Sequence, residues 1–198
     1  MSGLGWQTGV ACVVGIGLTL AGVGLNAQKE FSPANRDRGK AAVEFRDKDV
    51  QIVAAYYYSQ RNHNMRWLMI EAAMSTTAEN VIARKAITLV TPEGVEVPLA
   101  TQEQVAADVN QIQALLRNAS TVGHDVASYF TQTDRIENMN LFTLPFGGVV
   151  HDSFVVDRDR VAVGRLFFAA PKTAWPPGTY ALAVRHSKGR AELPIRLE

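Results

Sequence analysis

The chain has 198 residues, 47% of them hydrophobic, and its 20 Lys+Arg nearly cancel its 19 Asp+Glu to leave a formal net charge of +1. That is enough chain and enough apolar content for one packed domain. It is not the dense basic footprint with which nucleic-acid binders displace counterions, so no nucleic-acid partner is expected.

No charged side chain precedes Lys29, and Val10 to Leu25 is apolar apart from Gly and Thr. The run closes on Leu25-Asn26-Ala27, which fits the apolar region and cleavage site of a secretory signal with Gln28 as the first mature residue. The basic start usual in such signals is missing. The competing reading keeps residues 3–25 as a membrane helix, although the apolar core of about 16 residues falls short of the ~20 that span comfortably. On this view residues 1–27 are a signal peptide or an anchor, and any membrane contact runs through them when they are uncleaved. The single cysteine, Cys12, lies inside the run, so a cut at Ala27 leaves no disulfide and no thiolate chemistry.

Residues 28–42 are polar with one Pro and one Gly and read as a linker, leaving 43–198 as a single domain. Alternation begins at Val43-Glu44-Phe45. It continues over 50–59, with Val50, Ile52, Ala54, Tyr56 and Tyr58 on one face, and over 66–76, with Leu68, Ile70, Ala72 and Met74 on one face. A turn near Arg61–Asn64 with an even-length loop pairs Tyr58 with Trp67 and Tyr56 with Met69, leaving Tyr57 opposite. An odd-length loop sets Tyr56 and Tyr58 over Leu68 and Ile70. The stretch reads mainly as core. Its rim supplies candidate partner contacts in Tyr57, Arg61, His63 and Trp67, with Arg66 beside them.

"VIARKAITLV" and "VEVPL" flank "TPEG", a turn whose Gly94 suits the left-handed position of a bulged hairpin. Thr101 with Gln104 forms a capping box, and Val105, Val109, Ile112 and Leu116 recur on one helical face, predicting an amphipathic helix over about 102–118. Residues 121–140 read as loop with a short helical piece.

"RIENMNLFTLPFGG", 135–148, carries Met139, Leu141, Phe142, Leu144, Pro145 and Phe146 with little periodicity. Such residues either tuck into the core or present a surface, which makes Phe142 and Phe146 candidate contacts. Trp175 in "AWPPG" is a loop tryptophan able to cap the core or anchor a partner. Strands follow at "VVHDSFVV", "VAVGRLFFAA", "TYALAVRH" and "AELPIRL". In the last pair Tyr180, Leu182 and Val184 alternate against Leu193, Ile195 and Leu197, and Pro194 points to an edge position.

No catalytic constellation emerges. His63, His124, His151 and His186 show no zinc-ligand spacing, Ser128 and Ser153 sit in no nucleophile turn, and "FGG" at 146–148 is no phosphate loop. Neither a metal nor an organic cofactor is implied. An enzyme or ligand-binding site, if present, is expected near His124, His151 and loop 135–148.

The pattern predicts a mainly β fold, an antiparallel β-sandwich, broadly immunoglobulin-like, with one inserted helix. The closing "WPPGTYALAVRHSKGRAELPIRL" resembles the last hairpin of exported immunoglobulin-like bacterial modules. The function expected is that of an exported non-enzymatic module, periplasmic or extracellular. It would bind another protein of the cell envelope, or self-assemble as a structural subunit of a larger complex. A membrane-anchored accessory subunit is the alternative.

Overall fold

The computed structural model describes residues 31–121, 125–131, 135–144 and 147–198, so the segment 1–27, His124 and Phe146 lie outside the described residues. The strands are β1 (Asn35–Asp37), β2 (Ala42–Arg46), β3 (Val50–Ala55), β4 (Trp67–Thr76), β5 (Asn80–Ala83) and β6 (Ile87–Val90). They continue with β7 (Glu96–Pro98), β8 (Arg135–Asn138), β9 (Ser153–Val156), β10 (Arg160–Ala169), β11 (Gly178–His186) and β12 (Gly189–Leu197). Helices are α1 (Tyr57–Arg61), α2 (Gln102–Ala107) and α3 (Val109–Ala119), with short 3-10 turns at Arg84–Ala86 and Val126–Tyr129.

The fold is mainly β, in three sheets. Six strands run in the order β1-β2-β3-β4-β10-β8, four in the order β12-β11-β6-β7, and β5 pairs with β9. Among the described residues no sheet is closed into a barrel or sandwich. One hydrophobic core gathers the inward side chains of all three, among them Ile70 and Phe168, Leu182 and Ile195, and Ile82 and Val156. Among the described residues no helix is long and apolar enough to cross a membrane.

The terminal hairpin follows strand parity, with Tyr180 opposite Ile195 and Leu182 opposite Leu193, and Pro194 sits on edge strand β12. The β6–β7 turn places Gly94 at φ +84, where a side chain would be strained. The pairing is not wholly antiparallel: β8 lies parallel to β10. The chain between them runs through β9 in another sheet, which supplies the long crossover that parallel pairing needs. The expected linker 28–42 is also corrected in part, because Asn35–Asp37 forms edge strand β1 against β2.

The largest correction concerns the three tyrosines. Strand β3 ends at Ala55, paired with Glu71, and Tyr57 to Arg61 then turn as a helix, so neither proposed cross-strand pairing of Tyr56 and Tyr58 forms. The Tyr56 N–H donates to the Ala41 carbonyl at 2.8 Å, and the Gln60 N–H donates to the Tyr56 carbonyl at 2.8 Å. Ser59 then stands in for the missing strand: its Oγ accepts the Met69 N–H at 3.0 Å and donates to the Met69 carbonyl at 2.8 Å. Successive helical residues rotate by roughly 100°. Tyr56 accordingly enters the main core and Tyr58 packs on the cluster of Trp67 and Met69, while Tyr57 lies between the main core and the cluster of Val53 and Val161.

The predicted capping box forms as Thr101 and Gln104, but the helix is two pieces broken at Asp108, φ −106 and ψ 27. The break turns the buried face of the second piece. Val105 and Ile112 are buried as expected, with Leu115 and Ala119 joining them, whereas Val109 and Leu116 are only half-buried.

Candidate functional site

On the six-stranded sheet, β4 and β10 turn alternate side chains away from the main core. Met69 lies opposite Phe167, Glu71 opposite Arg165 and Ala73 opposite Val163. Two covers shield this outer face. Val105, Ile112 and Leu115 of the helices pack on Trp67, Met69 and Phe167. The Val126–Tyr129 turn seats Val126 on Val53, Ala73 and Val161. Between the covers lies a cleft of about 550 Å³, within the usual range for ligand pockets. Its floor carries Glu71, Val163 and Arg165, with the guanidinium 3.4 Å from the carboxylate. Ile112 and Leu116 form one wall, Asp125 stands opposite, and the segment 138–144 closes a side.

Long-range contacts hold the walls. The Trp67 Nε1 donates to an Asp108 carboxylate oxygen at 3.0 Å, and Arg66 pairs with the same oxygen at 3.2 Å. Arg84 ties the 139–144 segment to the start of α2 by donating to the carbonyls of Leu141 and Ala100. Its guanidinium lies 4.3 Å from the Phe142 ring centroid, and Phe142 meets Phe167 edge-on at 5.1 Å. Burial lowers the Arg84 guanidinium from its ordinary value, yet arginine stays charged. Gln102 grips Thr143 reciprocally, donating to its carbonyl at 2.8 Å and accepting its N–H at 3.2 Å. A Cβ on Gly164 would stand 3.0 Å from Met139, so glycine is what lets Met139 tuck in.

The expected contact residues do not converge on one surface. Tyr57 and Arg61 border a separate groove with Lys40 and Asn62. His63 is structural: its Nδ1 lies 2.8 Å from the Trp175 carbonyl and its Nε2 lies 2.8 Å from the Glu198 carbonyl. Trp67 and Trp175 are both 2% exposed, which corrects their reading as surface contacts. Trp175 caps the core, its indole N–H donating to the Arg66 carbonyl at 3.2 Å. Phe142 is half-buried in the cleft wall, while Phe146 and His124 are outside the described residues.

Within 135–148, residues 135–138 form β8 and Met139 and Leu141 are buried, so this part tucks inward. His151 is exposed in a separate depression with Arg135, Glu137 and Ser153, and its amide donates to the Asn140 carbonyl at 2.8 Å. Among the described residues no group of three or more His, Cys, Asp or Glu is placed to hold a metal ion.

Glu71 and Arg165 on the cleft floor, and Arg84 and Asp108 that fasten its walls, are not among the residues the sequence points to. Each sits in a run with no motif, and only the strand parity that sets Glu71 and Arg165 outside the core hints at them.

Fold and cleft together define a mainly β domain with an open, apolar-walled groove on one sheet face. No family model, no curated protein and no solved structure matches the chain.

Proposed function

We propose that the protein is an exported, non-enzymatic module that binds another protein of the cell envelope through the cleft above β4 and β10. The carrying observation is the cleft itself: a concave, half-apolar surface with an ion pair at its floor, its walls fastened by Arg84, Gln102 and Asp108. Side chains fixed before binding lose less freedom on binding, which favours recognition.

The finer fold reading is immunoglobulin-like, and strand order supports it. In the four-stranded sheet β11 lies between β12 and β6, with β7 beyond β6, and in the larger sheet β4 lies between β3 and β10. This follows the G-F-C-C′ and A-B-E orders of such modules. Near the start of β11, the Tyr180 hydroxyl donates to the Pro176 carbonyl four residues upstream at 2.8 Å, in the manner of a tyrosine corner. Such modules serve many recognition roles, so strand order argues for architecture and the cleft for binding.

Export is supported by the apolar run before Lys29 and its Ala27 boundary. Retention of residues 3–25 as an anchor is the competing reading, and intact mass separates the two. The test is a mild native pull-down with a photo-crosslinker at Leu116. A mature chain beginning at Gln28 and a discrete crosslinked envelope protein are expected. A free monomer with no crosslinked partner overturns the reading.

A further inference from the structure

We propose that the Val126–Tyr129 turn is a gate on the cleft and that Glu44 beneath it is the latch; this regulation rests on the binding reading above. Three observations carry it. First, the two covers are held differently. The helices bury Val105, Ile112, Leu115 and Ala119, whereas in the turn Val126 is the one buried side chain. Tyr129 and Phe130 lean half-buried on the same cluster. Elements with few buried apolar contacts open locally at lower free energy.

Second, the turn is fastened through a buried charge. Glu44 of β2 is fully buried, and it is the only buried charged side chain among the described residues. One carboxylate oxygen accepts the Arg38 Nε at 2.8 Å and the other accepts the Gln51 amide at 2.8 Å. The same two residues hold Tyr129. The Gln51 amide also donates to the Tyr129 carbonyl at 3.2 Å, and the Tyr129 hydroxyl donates to the Arg38 carbonyl at 3.2 Å. The Arg38 guanidinium lies 5.7 Å from the Tyr129 ring centroid. Burying a charge costs free energy that its partners must offset. Water reaching Glu44 as the turn lifts recovers part of that cost, so the closed state is poised to open.

Third, the face beneath the turn continues the cleft. Val163 on the cleft floor lies opposite Ala73, and Ala73 lies opposite Val53. Val126 covers Val53, Ala73 and Val161. A lifted turn extends the apolar floor by these three side chains, which lets the cleft take a longer partner segment.

The test uses protein expressed from the full sequence with labelled Ile, Leu and Val methyl groups. A neutral gadolinium chelate broadens the methyl signals that solvent reaches. Glu44→Gln removes the charge and is expected to raise this effect at Val53 and Val161 about fivefold, with Ile70 in the main core and Ile112 in the helical cover unchanged. Tyr129→Phe leaves Glu44 and the sheet intact, loses the bond to the Arg38 carbonyl and is expected to raise it about twofold. No rise in Glu44→Gln, or an equal rise at Ile70 or Ile112, overturns the proposal. Where that variant does not fold, Tyr129→Phe decides by the same criteria.

Failure here is distinct from failure of the binding reading. The Leu116 crosslink to the envelope partner is expected to rise in yield with Glu44→Gln. An unchanged yield overturns the gate and leaves the binding module. No crosslink in parent or variant overturns the binding reading, and the methyl result then decides the latch by itself.

Discussion

The indole Nε1 of Trp67 donates to the carboxylate of Asp108 at 3.0 Å, joining the first residue of β4 to the break between α2 and α3. Trp67 is buried, so its N–H has no easy alternative partner in water. Asp108→Ala strips the acceptor and also leaves Arg66 without its ion pair. Leaving a buried donor unsatisfied costs about 1–3 kcal/mol, which urea unfolding should show as a lower midpoint at unchanged slope. Asp108→Asn retains a carbonyl acceptor and should lose less. Equal midpoints for Asp108→Ala and the parent would show that the helix break owes nothing to this contact.

Arg84 fastens the other side of the cleft. Arg84→Met keeps the apolar stem but loses both carbonyl contacts and the guanidinium over Phe142. Hydrogen bonds from charged groups contribute about 1.5–3 kcal/mol, and a loss of that order is expected. Arg84→Lys should not restore it, because an ammonium cannot fork to two carbonyls as a planar guanidinium does. Hydrogen exchange at the Thr143 amide, which bonds Gln102, should rise in both variants. An unchanged Thr143 rate would mean the segment is held without Arg84.

Ser59 completes the backbone pairing of Met69 where β3 has departed. Ser59→Ala leaves the Met69 N–H and carbonyl short of partners in a buried site, for an expected loss of about 1–3 kcal/mol. The Met69 amide should exchange faster in the variant. Parent-like protection of that amide would show that Ser59 is dispensable.

The Tyr180 hydroxyl is pushed up to about 12 by burial, with the Glu93 charge adding to the rise. An unfolded tyrosine titrates near ~10, so the folded state holds this proton more tightly. The resulting stabilisation is complete below the unfolded value and is lost as pH rises through the folded one. Unfolding midpoints followed from about pH 9 to about pH 12 should therefore fall less steeply in Tyr180→Phe than in the parent. Parallel curves would remove Tyr180 from the alkaline transition.

Much of the fold was legible because it is local. The β11–β12 hairpin follows from period-two alternation, the β6–β7 turn from Gly94, and the start of α2 from Thr101 and Gln104 three residues apart. The tyrosine stretch misled because three β-favouring residues in a row read as strand, and a short helical turn of the same residues carries no periodic signal. A partner outside the run, Ala41, takes the Tyr56 amide. Propensity yields to tertiary contact in such cases.

By itself the sequence determined the core faces of β4, β11 and β12, the turns of the β6–β7 and β11–β12 hairpins, and that the chain is near neutral with an uncharged apolar start. Those properties rest on side-chain chemistry and on spacings of two to four residues. Tertiary structure alone decided that β3 stops at Ala55, that the helix breaks at Asp108 and that Glu71 and Arg165 floor a cleft. The contacts responsible join residues 41 apart for Trp67 and Asp108 and 57 apart for Arg84 and Leu141. At such separations no local pattern records the pairing, because hydrogen-bond geometry is met only after the sheet and its two covers have assembled.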